Sequence, residues 1–330
     1  MATLASTMPT LSDVAKMQDP TGKILRIAEL LRKLSPLVDD APWVQGNLPL
    51  GHRVGVETSL PTVSSRRLNQ RTQPSTDTTE QVDEQCALID AYSQVDTTLA
   101  NLNGNAAAYR FSKAKRYMRA MTYEFERQAM YGNPTTTQEE MRGLITRLTT
   151  AGDTVIDAGG AGADNGSILL VGWSPETVYC AYPKGDPNGT GQGIQHTDKG
   201  IVTSETSDGL IEVYRDHWSF CGGIVVENPN YLGAVRAIDI SSTVADPTGA
   251  TINLVTNMLS LIHGIEDIDS PLIKPVFYMP RTLAKMLDIQ AQNKSNLQLE
   301  VGMEEGKRKV SLRGIPIHVS DAMTETEAVI

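Results

Sequence analysis

At 330 residues with 40% hydrophobic content, the chain is long enough to bury a core and to hold two or three compact modules. A formal charge of −10 makes the average surface repel phosphate, which excludes a dedicated nucleic-acid binder and leaves only local or loose contact with DNA. Cys86, Cys180 and Cys221 stand far apart without a CxxC pair, which excludes a disulfide framework or thiolate zinc site, and no apolar run is long enough to cross a bilayer.

The chain opens with a short amphipathic piece at Ser12 to Met17. Thr21 then caps a predicted helix with Ile24, Leu25, Ile27, Ala28, Leu31 and Leu34 on one side, and Pro36 stops it. From Trp43 to Val63 the pattern turns strand-like around Gly46, Gly51 and Gly55. Residues Ser64 to Glu80 are almost purely polar and carry Arg66, Arg67 and Arg71; Val82 to Val95 then resumes a strand or short-helix pattern. Strand, polar tip and strand describe a long projecting hairpin. Such a hairpin cannot cover its own apolar flanks, so it is predicted to lie on a neighbouring copy of the chain. The three arginines, without local partners, are expected to meet acidic surface there.

The longest helix signal runs from Ala106 to Tyr131 and is closed by Gly132, Asn133 and Pro134. It should extend about 40 Å at 1.5 Å per residue. Phe111, Ala114, Met118, Met121 and Phe125 recur at steps of three and four and predict one narrow buried stripe, as in a rod laid across a sheet. Arg110, Lys113, Lys115, Arg116 and Arg119 crowd the first half, and Glu124 and Glu126 the second, opposite to what the helix dipole favours. Compensation from outside the helix is expected for this basic half, and Arg116 and Arg119 are the candidate contacts. The alternatives are a solvated face, pairing with acidic loops of another subunit, or a lining that faces DNA.

Thr154 to Ile240 reads mainly as β, with short runs at Ser167–Gly172, Thr177–Tyr182, Ile201–Ser204, Leu210–Tyr214 and Gly223–Glu227. A turn at Asp246–Gly249 precedes a helix near Ala250–Gly264, a strand at Val276–Met279, a helix at Arg281–Gln292, and closing strands at Lys309–Leu312 and Ile315–Val319. The composite is an α+β chain without internal repeats.

Catalytic and ligand motifs fail on context. The glycines of Asp157–Gly166 precede a strand instead of a helix N-terminus, so they read as a hairpin turn around Asn165-Gly166 and not as a dinucleotide loop. The loop Gly185–Gly193 lacks the GK[ST] ending of a phosphate cradle. His52, His196, His217, His263 and His318 form no HxxxH or HExxH pair, and Gly172-Trp-Ser-Pro175 is no nucleophile elbow. No catalytic residue, cofactor or metal is assigned.

One set of segments carries a family resemblance. DAGGAGADNGSILLVGWSPETVYCAYPKG from Asp157 to Gly185, then IQHTDKG, VYRDHW and CGGIVVENPNYLGAVRAIDIS, resemble in order and spacing the middle of short-tailed phage major capsid proteins related to that of the Bordetella tropism-switching phage. GNPTTTQEEMRGLITRL from Gly132, VFYMPRTLAKMLDIQAQ from Val276 and GIPIHVSDAMTETEAVI from Gly314 extend the resemblance over roughly residues 10 to 330. It departs in extra residues between Lys184 and Ile194 and at Pro229–Gly233.

The resemblance implies a Hong Kong ninety-seven-like capsid fold. Its expected parts are an N-terminal arm (1–42), an extended loop (43–103), a spine helix opening the peripheral domain (104–150), a β-rich peripheral or axial segment (151–245), and an axial domain returning to the peripheral one (246–330). It further implies a non-enzymatic subunit that forms hexamers and pentamers of an icosahedral virion shell. The expected partners are a separate scaffolding protein, a portal and a cement protein, with loose contact to packaged DNA, no membrane, and assembly in the host bacterial cytoplasm. The alternative within the same fold is an encapsulin-like cellular nanocompartment shell; a nucleotide enzyme and a tail protein are the readings from other classes.

Overall fold

The computed structural model describes residues 35–101, 106–184, 193–206, 209–292, 299–304 and 307–329. The predicted helix from Thr21 to Leu34, the piece at Ser12 to Met17 and most of the Gly185–Gly193 loop lie outside them. The described chain begins with one helical turn, α1 (Leu37–Asp40), the short strand β1 (Trp43–Gln45), and the strands β2 (Gly51–Ser59) and β3 (Thr78–Gln85). Next come β4 (Ala87–Asp96), the turn α2 (Thr97–Ala100) and the long helix α3 (Ala106–Tyr131). The strands β5 (Val155–Asp157), β6 (Asn165–Trp173), β7 (Val178–Tyr182), β8 (Gln195–Thr206), β9 (Gly209–Val226) and β10 (Leu232–Asp239) follow. The chain closes with α4 (Ile240–Ala245), α5 (Leu254–Gly264), β11 (Lys274–Met279), α6 (Arg281–Gln292), β12 (Leu299–Glu304), β13 (Lys307–Leu312) and β14 (Ile315–Val319).

Two compact units emerge. One comprises, of the described residues, those within 88–125 and 192–221; the other comprises those within 35–87, 126–191 and 222–330. The larger unit is built around β6, whose nine residues are all buried. That explains why its sequence runs apolar without alternation, as a strand covered on both faces must. β10 and β11 both pair with it antiparallel, through Leu232↔Val171 and Phe277↔Leu170 among others. β14 adds parallel to β11, with β13 and β12 antiparallel beyond it. Leu254, Met258 and Leu261 of α5 and Leu283, Met286 and Leu287 of α6 close over Ile168, Leu170, Val235 and Phe277. Each such side chain contributes about 1.5–3 kcal/mol on burial. At the buried entry to α5, the Gln290 side chain accepts from Leu254 N–H at 3.0 Å and donates to the Ile252 carbonyl at 2.9 Å, leaving neither backbone group unpaired.

The hairpin turn expected at Asn165-Gly166 is overturned. Both residues belong to β6, Asn165 is fully buried, and β5 and β6 do not pair; β10 stands between them, parallel to β5 and antiparallel to β6. The chain reverses earlier, at Gly159, whose φ of +80° suits glycine and whose N–H donates to Asp157 Oδ1 at 2.8 Å.

In the smaller unit β9 runs antiparallel to β8 from Thr206↔Gly209 to Gln195↔Ser219. The separate runs expected at Leu210–Tyr214 and Gly223–Glu227 are therefore one 18-residue strand. Asp216, Trp218 and Phe220 alternate there as its buried face, and a buried Asp inside the run hid the strand from a hydrophobicity reading. The helix docks on that face through Tyr117, stacked on Trp218 at 4.8 Å, and Phe125, edge-on to Phe220 at 5.0 Å.

The stripe predicted for α3 needs correction. Met121 and Phe125 are buried, but Phe111 is 63% and Met118 37% exposed. The docked row is Tyr109, Tyr117, Met121 and Phe125, at multiples of four, and it meets Val95 of β4 as well as the rings of Trp218 and Phe220 on β9. Beyond Phe125 the last turns bury Glu126, Ala129 and Met130.

Candidate intersubunit surfaces and a buried polar cluster

β2 and β3 pair antiparallel from Gly51↔Gln85 to Ser59↔Thr78. The root of this hairpin is anchored to its own unit. Val54 packs with Tyr179, Ala181 and Val225. Glu84 and Arg147 form a two-pronged ion pair, with Nη2 donating to Oε2 at 2.7 Å, and their side chains are only 3% and 10% exposed. Tyr179 donates its hydroxyl proton to Glu227 at 3.2 Å and stands 3.1 Å from His52 Nε2. Desolvation, with Glu227 beside it, pushes the Tyr179 hydroxyl well above the ordinary tyrosine range.

The outer hairpin is the opposite. From Thr58 to Gln81 every residue is exposed, including Leu60, Val63 and Leu68. Arg67 and Arg71 are exposed, as predicted of a projecting tip. Arg66 departs from expectation: its guanidinium donates to the Gln70 carbonyl at 3.3 Å, so it has a local partner. Gln70 Oε1 also accepts from Arg67 N–H at 3.1 Å, and these bonds shape the tip around Asn69, at φ 69°.

On α3 the basic half is partly neutralised within its own unit. Arg110 donates to both oxygens of Asp216, at 3.1 and 2.6 Å, and reaches Asp198 at 2.7 Å. The Asp216 bond, with that to Asp198, raises the guanidinium further above its already high range. His196 Nε2 contacts the same Asp216 at 2.9 Å. External compensation is thus unnecessary for Arg110. Lys113 and Lys115 lie over the rings of Tyr109 and Phe111, at 5.7 and 5.0 Å. Arg116 and Arg119 are exposed, on a surface that also bares Phe111 and Met118.

Sequence reasoning missed a buried polar cluster in the larger unit. Glu327 accepts from Tyr131 Oη at 2.6 Å and from Ser167 Oγ, and lies 3.5 Å from Arg236, which donates to the Leu148 carbonyl at 2.9 Å. Asp40 accepts from Tyr278 Oη at 2.6 Å and contacts His318 Nδ1 at 2.7 Å; Trp173 Nε1 donates to the Tyr278 oxygen at 2.9 Å. Glu126, read from the sequence as one of the rod charges set against the helix dipole, is fully buried and accepts from Ser320 Oγ at 2.5 Å. One signal existed: Glu126 stands four residues before Met130, inside an apolar row of the helix. Cys86 and Cys180 are buried, and burial pushes the Cys180 thiol far up. Among the described residues no three His, Cys, Asp or Glu are grouped to hold a metal, and no helix is long and apolar enough to span a membrane.

The arrangement offers anchored projections and bare apolar and charged surface, and comparison with known proteins accords with it. The family described as Major capsid protein GP7 matches residues 19–330. This chain belongs to that family of major capsid proteins: its function is to build the capsid shell of a bacteriophage, and its place is the virion. Among solved structures, a chain of bacteriophage Epsilon15 superposes with a TM-score of 0.78 at 27% identity, over 100% of this chain and 99% of that one. This is the Hong Kong ninety-seven-like capsid fold. The bacteriophage JBD30 capsid follows at a TM-score of 0.48 and 10% identity, covering 90% of this chain and 93% of that one. The SrpI encapsulin of Synechococcus elongatus reaches 0.47 at 11% identity, over 66% and 93%. No curated protein matches the sequence. The family assignment favours the viral shell over the nanocompartment reading.

Proposed function

We propose that the subunit acts as a purely structural, non-enzymatic tile that closes into an icosahedral shell of hexamers and pentamers around double-stranded DNA, its hairpin lying across a neighbour. The observation that carries this reading is the contrast along β2 and β3, between a root fixed by Glu84–Arg147 and an outer half whose residues are all exposed. Leu60, Val63 and Leu68, all exposed, would gain cover from another molecule. Arg67 and Arg71, with Arg66 bent back toward Gln70, face acidic surface of that neighbour. Arg116 and Arg119 face a neighbour or the packaged DNA.

Many weak contacts of this kind add up, because each subunit meets several neighbours at once. A formal charge of −10 keeps the shell from gripping its genome. The domain plan is an arm at 1–42, an extended loop at 43–103, a spine segment at 104–150, a β-rich segment at 151–245 and an axial part at 246–330. The proposal includes kinship with short-tailed phages such as the Bordetella one, assembly in the bacterial cytoplasm, and separate scaffolding, portal and cement proteins. The test is Arg66→Ala with Arg67→Ala and Arg71→Ala in one chain: the subunit should fold with unchanged circular dichroism, while the yield of closed particles drops severalfold. Particles at the wild-type yield would refute the contact.

A further inference from the structure

Three stretches far apart in sequence converge on Glu126 in the larger unit: the root of the arm at Ser35–Asp40, the last turns of α3, and the chain just after β14. The carboxyl is fully buried. Oε1 accepts from Ser320 Oγ at 2.5 Å, the Ser35 hydroxyl also acts on the carboxyl, and Oε2 makes no hydrogen bond of ordinary geometry among the described residues. The charges that act on it are those of two more acids, Asp40 and Asp321. Asp40 is itself held by Tyr278 Oη at 2.6 Å and His318 Nδ1 at 2.7 Å, and Asp321 faces Arg281 at 2.8 Å. A second negative charge beside Asp40, with one oxygen unsolvated, would be costly; a protonated carboxyl would not.

We propose that Glu126 is a proton-loaded latch: neutral, it holds the arm root and the segment after β14 against the end of the helix, and ionised, it lets them go. The proposal rests on the assembly reading only for its use, which is to make release of the arm toward neighbouring subunits depend on pH.

Desolvation, joined by Asp40 and Asp321, pushes the Glu126 acid up from 4.5 to about 7, against the pull of the Ser320 and Ser35 hydroxyls. A folded-state value raised above the ordinary one means the latch is at full strength below pH 4.5 and weakens as pH climbs to about 7. One proton released on opening makes the opening constant rise about tenfold per pH unit inside that window.

Hydrogen exchange on the unassembled full-length subunit reads this directly, in peptides covering 35–45 and 318–327 and after correction for intrinsic rates. Wild type should lose protection there by about tenfold per pH unit between about pH 5 and about pH 7, while Glu126→Gln, with an amide that does not titrate, should show a flat profile. Ser320→Ala, which removes the hydroxyl favouring the ionised form, should keep the slope and extend its upper limit to higher pH. Infrared difference spectra should contain a protonated-carboxyl band that disappears as pH passes about 7 and is missing in Glu126→Gln. Equal slopes in wild type and Glu126→Gln, or no titrating carboxyl band in wild type, would overturn the latch. Both readouts are taken before any shell forms, so they fail independently of the assembly reading.

Discussion

The two halves of α3 put similar side chains to opposite uses. From Met121 onward the helix buries Met121, Phe125, Ala129 and Met130, and even Glu126; before it, Phe111 and Met118 stay open beside Lys115, Arg116 and Arg119. Helical periodicity marks which residues share a side of the rod, but it does not say whether the cover comes from the same chain or from another. In a subunit that builds a shell, apolar residues can be divided between a private core and a shared one, and we propose that the exposed half of this helix belongs to the second. The hairpin repeats the division, with a root that packs and an outer half that is exposed.

The sharpest way to break this comparison is to place one carboxylate in each half. Met121→Asp should cost on the order of 3 kcal/mol or more, because an unpaired charge enters a dry contact, and folded subunit should fail to accumulate. Phe111→Asp should change the unfolding free energy by less than about 0.5 kcal/mol in denaturant titration, while lowering the yield of particles. Equal destabilisation by the two would erase the distinction between private and shared cores. A smaller effect is expected from Arg116→Glu. Soluble subunit should stay at the normal level, and the yield of DNA-filled particles should fall. A virus carrying Arg116→Glu that packages and infects like wild type would make this face merely solvated.

Much of the fold was legible because its cues are local. Ala106–Tyr131 and Arg281–Gln292 emerge at their expected bounds, the first stopped by Gly132 and Pro134 and the second following Pro280. The hairpin of β2 and β3 was legible from its polar tip. What escaped depends on partners distant in sequence. The insertion of β10 between β5 and β6 is decided by pairing across about 80 residues, which no local pattern encodes. The full length of β9 was hidden because Asp216 looks like a turn residue until Arg110 is placed beside it. The surfaces proposed for assembly were partly legible as clustered charge, although Arg110 and Arg66 find partners within the chain. The buried acids were not, since Glu126 and Glu327 become core residues only when Ser320, Tyr131 and Ser167 close around them.

Negative-stain electron microscopy of the purified full-length protein, over a range of protein and salt concentrations, tests the central claim most directly. The account predicts closed shells, or rings of five and six subunits on the way to them. A monodisperse monomer under all these conditions, folded by circular dichroism yet never associating, would contradict it.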